Sequence, residues 1–70
     1  MITDPKEQAI YQKAYDKAHK KTYHAEYNRL VAGGEDVKEA RTIARDNAHY
    51  AARDAAEAEV SEARANRRGK

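Results

Sequence analysis

Alanine recurs along the second half of the chain at a helical spacing. Ala40, Ala44, Ala48, Ala51, Ala55 and Ala58 are separated by four, four, three, four and three residues. At about 100° per residue they fall within a stripe roughly 80° wide, one face of an α-helix. The first half carries a thinner stripe of Ala14, Ala18, Ala25 and Ala32. Alanine favours helix wherever it stands, and a ladder of it also lets two backbones approach closely.

The ends of both helices are written in the chain. Asp4-Pro5-Lys6-Glu7 offers an acceptor at the N-cap, proline at the first helical position and glutamate three residues after the cap. That is a capping box with a preset φ. No breaker follows before Gly33-Gly34, where glycine permits the left-handed conformation that closes a helix. Asp36-Val37-Lys38-Glu39 is a second capping box. The prediction is a helix over 5–32, a turn over 33–36, a helix over 37–65 and a basic flexible tail over 67–70, with residues 1–66 forming one helical hairpin.

Two long helices joined by so short a turn must fold back on each other. The predicted fold class is all-α, an antiparallel two-helix hairpin with an alanine-rich coiled-coil seam, able to pair into a four-helix bundle. A heptad reading sets Tyr11, Ala18, Ala25 and Ala32 against Val37, Ala44, Ala51 and Ala58, which implies a left-handed supercoil. Folding about Gly33-Gly34 places Asp54, Glu57, Glu59 and Glu62 beside Lys6, Lys13 and Lys17. It also brings Arg41 and Arg45 near Tyr27 and Tyr23, where a guanidinium stacked on a ring contributes about 0.5–1 kcal/mol.

Composition limits what such a hairpin can be. Leu, Ile, Val and Phe together number only seven in seventy residues, so a lone hairpin with an alanine core is marginal without a partner or a second copy. Charged residues are 37% of the chain, but fourteen basic and twelve acidic side chains nearly cancel, which argues against disorder. No cysteine is available for a disulfide or a thiolate metal site. The longest aliphatic run, Leu30-Val31-Ala32, is far too short to span a membrane, and no secretory leader is visible, so a cytoplasmic location and no membrane partner are expected.

Catalysis is not expected, nor is a cofactor. Ser61 is the only serine, no glycine loop is present to cradle phosphates, and a two-helix hairpin has no cavity in which to desolvate a reacting group. His19 and His24 are five residues apart, about 140° around a helix, so they do not chelate from one face, and no metal site is expected.

Two surfaces remain. Tyrosines stand in pairs four apart, Tyr11 with Tyr15 and Tyr23 with Tyr27. Tyr23, Tyr27 and Leu30 border the alanine stripe on one helix, and Ile43 and Tyr50 border it on the other. Tyrosine is enriched among the residues that dominate protein interfaces. The expected function is therefore binding of a macromolecular protein partner, as an adapter or an inhibitor. Such economy suits a small accessory modulator of the kind a virus encodes. The contact anchors are Tyr23, Tyr27, Leu30, Ile43 and Tyr50. Lys17, Lys20, Lys21, Arg41 and Arg45 supply steering and rim contacts. A homodimer would use the same borders. The alternative is a small basic dimeric regulator that binds RNA or DNA, with Lys13, Lys17, Lys20, Lys21 and Arg29 on phosphates and tyrosines stacked on bases. Arg64, Arg67, Arg68 and Lys70 at the C-terminal end complement the helix dipole.

Overall fold

A computed structural model describes residues 4–68. It contains two helices, α1 (Pro5–Ala32) and α2 (Val37–Arg68), packed against each other as an antiparallel hairpin. Its principal extents are 51 × 20 × 13 Å, so the molecule is a single layer, one helix thick. No helix among the described residues is long and apolar enough to cross a membrane.

Both helix starts follow from an aspartate. Asp4 is extended at φ −74° and ψ 121°, and its Oδ1 accepts from the Lys6 backbone N–H at 2.9 Å. Asp36 Oδ2 accepts from the Lys38 backbone N–H at 3.1 Å. The first box differs from expectation in its glutamate, because Glu7 turns away from the cap and accepts from Arg64 and Arg67. Two guanidinium groups are stronger partners for a carboxylate than one backbone N–H.

The turn is a Schellman closure. The Glu35 N–H donates to the Leu30 carbonyl at 3.0 Å, and the Gly34 N–H donates to the Val31 carbonyl at 3.1 Å. Gly34 sits at φ +98°, the left-handed position that this closure requires.

The core of α2 repeats every four residues. Ala40, Ala44, Ala48, Ala52 and Ala56 are 0% exposed and Val60 is 4% exposed. The covered positions of α1 form two parallel rows of the same period. One is Glu7, Tyr11, Tyr15, His19, Tyr23 and Tyr27, and the other is Ile10, Ala14, Ala18, Thr22, Glu26 and Leu30. This corrects the heptad register. Ala44 is buried and Ala51 half-buried, but Val37, Ala58, Ala25 and Ala32 are exposed. The physical reason is ridge packing. Residues four apart form one continuous ridge, and the bulky row of rings on α1 selects the small row every fourth residue on α2 as its neighbour. A period above 3.6 drifts around the helix in the direction opposite to a heptad stripe, so the left-handed supercoil expected from a seven-residue repeat loses its basis.

Helix α2 also extends beyond the predicted end at 65. Arg67 lies inside it and makes ion pairs, so position 67 does not begin a flexible tail. Residues 69–70 of that predicted tail, and the side chain of Arg68, lie outside what the structure describes.

Candidate functional site

The four-residue period gives the hairpin two unlike flanks. On the first, rings on α1 stack in an unbroken row. Centroids are 6.2 Å apart for Tyr11–Tyr15, 5.7 Å for Tyr15–His19, 6.3 Å for His19–Tyr23 and 6.0 Å for Tyr23–Tyr27. Interplanar angles of 16°, 27°, 11° and 6° in the same order mark near-parallel, offset rings, the arrangement that aromatic quadrupoles favour. The two tyrosine pairs therefore belong to one row. His19 joins them, and the signal was its place exactly between Tyr15 and Tyr23, legible once histidine is counted as a ring and not only as a metal ligand.

The row extends across to α2. The Tyr15 hydroxyl and His49 Nδ1 form a 2.7 Å hydrogen bond, and their rings meet edge to face at 5.9 Å. His49 in turn meets Tyr50 edge to face at 5.6 Å. Tyr50 is 60% exposed, with the Arg53 guanidinium 5.7 Å from its ring centroid. Tyr15, His19, Arg45, Asp46, His49 and Tyr50 line a shallow open cleft of about 480 Å³. By register, Arg41, Arg45, His49 and Arg53 form one row of α2 facing this flank. The expected stacking of Arg41 on Tyr27 and Arg45 on Tyr23 is not formed. Among the described residues, the guanidinium found over a ring is that of Arg53, on Tyr50.

The second flank is small and apolar. Ile10, Ala14, Ala18 and Ala55 floor a groove of about 510 Å³, rimmed by Lys13, Lys17, Lys21 and Glu59. Leu30 shares the Ile10 row, and Ile43 shares a row with Asn47, whose side-chain amide donates to Glu26 at 3.2 Å. Ile43 is 38% exposed beside Lys38, Glu39 and Thr42.

The expected anchors thus divide. Tyr23, Tyr27, Tyr50, Arg41 and Arg45 stand together on the aromatic flank. Leu30, Ile43, Lys17 and Lys21 stand on the small-residue flank, and Lys20 is exposed on the outer face of α1 between them. Of the lysines and arginine assigned to phosphate contact, Lys13, Lys17 and Lys21 share one line, Lys20 lies a row away, and Arg29 is held by Glu26 at 2.7 Å. The predicted ion pairing of Asp54, Glu57, Glu59 and Glu62 with Lys6, Lys13 and Lys17 is not formed within 4.0 Å. Glu59 shares a groove with Lys13 and Lys17, while Asp54 and Glu62 lie on the row of α2 opposite its buried alanines, turned away from α1.

The chain matches no family model, no curated protein and no solved structure. The surfaces themselves therefore carry the functional argument. Among the described residues, no three His, Cys, Asp or Glu side chains cluster as metal ligands.

Among the described residues, the ion pairs between the two helices gather at the open end of the hairpin. Arg64 meets Glu7 through two parallel bonds of 2.7 and 3.0 Å, and Arg67 adds a third of 3.0 Å and reaches Asp4 at 3.5 Å. Glu7 is 7% exposed, so its charge depends on these partners. The Arg64 bonds above all hold the Glu7 carboxyl below its ordinary value, and Glu7 raises Arg64 in return. Asp4 is lowered chiefly by the Lys6 backbone N–H.

Proposed function

We propose that this chain is a non-enzymatic helical binding protein that engages a macromolecular protein partner through its aromatic flank, as an adapter or an inhibitor, and that two hairpins pair as a four-helix bundle about their alanine-lined helices. The observation that carries the first part is Tyr50. It is a large ring, 60% exposed, fixed by His49 on one side and Arg53 on another, beside a cleft that also holds Arg45. An exposed tyrosine held by its neighbours loses little freedom on binding, and tyrosine and arginine are the residue types that most often dominate protein interfaces. Tyr23 and Tyr27 extend the same contact toward the turn, with Arg41 and Arg45 at its edge.

The stacked row also weighs against single-stranded nucleic acid as the partner. Stacking on a base requires an open ring face. Along Tyr11, Tyr15, His19, Tyr23 and Tyr27 the ring faces lie against one another.

The test is affinity capture from a lysate of cells that carry the protein, with and without nuclease, comparing the native chain with Tyr50→Ala. A protein retained after nuclease by the native chain and lost by the variant supports the reading. Capture that disappears with nuclease, together with an absorbance ratio showing co-purified nucleic acid at low salt, replaces it with nucleic-acid binding.

A further inference from the structure

The small-residue flank has no second layer, and its charges are sorted. On α1 the exposed row Lys13, Lys17 and Lys21 runs along one edge. On α2 the outward row carries Asp54 and Glu62. None of these five forms an ion pair within 4.0 Å among the described residues. We infer that the small-residue flank is the pairing face for a second copy of this chain, and that Lys13 and Lys17 of each copy meet Asp54 of the other.

Three features lead to a second copy. First, the covered core of one hairpin is five alanines and one valine, with no large side chain fully buried, in a molecule 13 Å thick. Stable domains bury the apolar sides of their elements against a further layer. Second, the broad face measures 51 × 20 Å, so stacking two of them covers roughly 1,000 Å² on each, about the size of a specific interface. Its floor of Ile10, Ala14, Ala18 and Ala55 is apolar and small enough to admit another helix closely.

Third, the face is complementary to itself. The bonds from Tyr15 to His49 and from Glu7 to Arg64 set the relative heights of the helices, so Asp54 stands level with the Lys13–Lys17 stretch, within about one turn. A twofold axis parallel to the helices lays α1 of each hairpin on α2 of the other, antiparallel, and preserves those heights. The lysine edge of one copy then meets the aspartate edge of its mate at both ends of the symmetry operation. The contact is isologous and closes at two copies. A twofold axis running across the helices sets lysine row on lysine row, which like charge disfavours. The aromatic flanks face outward on opposite sides of the resulting bundle.

This inference rests on the pairing proposed above, independently of what binds the aromatic flank. The experiment measures mass in solution by sedimentation for the native chain, for a variant with Lys13→Glu and Lys17→Glu, for a variant with Asp54→Lys, and for an equal mixture of the two variants. Circular dichroism follows helicity in each. A dimeric native chain, variants that each pair about tenfold more weakly or worse, and a mixture that recovers pairing are expected. Only contacts between copies are repaired by mixing, since each variant keeps its own altered charges within its own chain. Helix lost in each variant and regained on mixing supports the inference equally. A native chain that is helical and monomeric overturns pairing altogether. A dimeric native chain whose variants pair normally, or do not recover on mixing, overturns this face and leaves pairing standing.

Discussion

Arg64 and Glu7 lie 57 residues apart in the chain and meet fork to fork, Nη2 to Oε1 at 2.7 Å and Nε to Oε2 at 3.0 Å. The pair fastens the end of α2 to the start of α1, where helices otherwise fray. Its pH dependence follows from the lowered Glu7 carboxyl. A carboxyl lowered in the folded state binds fewer protons there than in the unfolded chain, so the contribution is complete above the ordinary value of 4.5 and is lost as pH falls through the lower folded value. Thermal unfolding of Glu7→Gln is expected at a lower midpoint than native at neutral pH. The two midpoints converge in acid, where the native carboxyl is protonated as well. A constant gap across that range would assign the effect of the substitution to packing.

The four-residue register separates neighbouring alanines. Ala52 is 0% exposed and Ala58 is on the surface. Ala52→Leu is expected to destabilise by about 1–3 kcal/mol through overpacking, and Ala58→Leu to stay within about 0.5 kcal/mol of native. Urea unfolding of the two variants reads the difference. The reverse order would restore the heptad register.

The two glycines of the turn differ in backbone conformation. At Gly34, φ +98° makes any side chain strained even though open space surrounds it. Gly34→Ala is expected to cost about 1–2 kcal/mol. Gly33 has φ −81°, and an added Cβ there meets the Arg29 and Leu30 carbonyls at 3.4 and 3.5 Å, ordinary contact. Gly33→Ala is expected to stabilise by about 0.4–1 kcal/mol by restricting the unfolded chain. Paired melting curves would check both signs.

The hydrogen bond between Tyr15 and His49 crosses the hairpin at 2.7 Å. Tyr15→Phe keeps the ring in the stacked row and removes only the hydroxyl. A loss of about 0.5–1.5 kcal/mol is expected in chemical denaturation, and the His49 ring resonances should shift in an NMR spectrum. Unmoved resonances would show that the bond does not persist in solution.

Much of the fold could be read from single residues. Asp4, Asp36 and the glycine pair mark where each helix starts or stops because caps are local chemistry. The register could not be read in the same way. The doublets Ala51-Ala52 and Ala55-Ala56 satisfy a stripe of period 3.5 and a row of period four equally well, and only the rings on the opposite helix choose between them. The fastening at the open end was hidden for a related reason. Arg64 and Arg67 explain themselves locally as cations at a helix C-terminus, and nothing within α2 points to Glu7 as their partner. At the candidate site, Tyr50 stood out as a large exposed side chain. The split of the anchors between two flanks depends on the register and came only with it.

The ring row has a spectroscopic consequence. The chain has five tyrosines and no tryptophan, and four of those tyrosines belong to the row. Parallel chromophores about 6 Å apart couple electronically, so near-ultraviolet dichroism of the unlabelled protein reports mainly on one ridge of one helix. Any event that slides α1 against its neighbour, or seats a ligand on that ridge, is written in an optical band that only Tyr50 shares with the row.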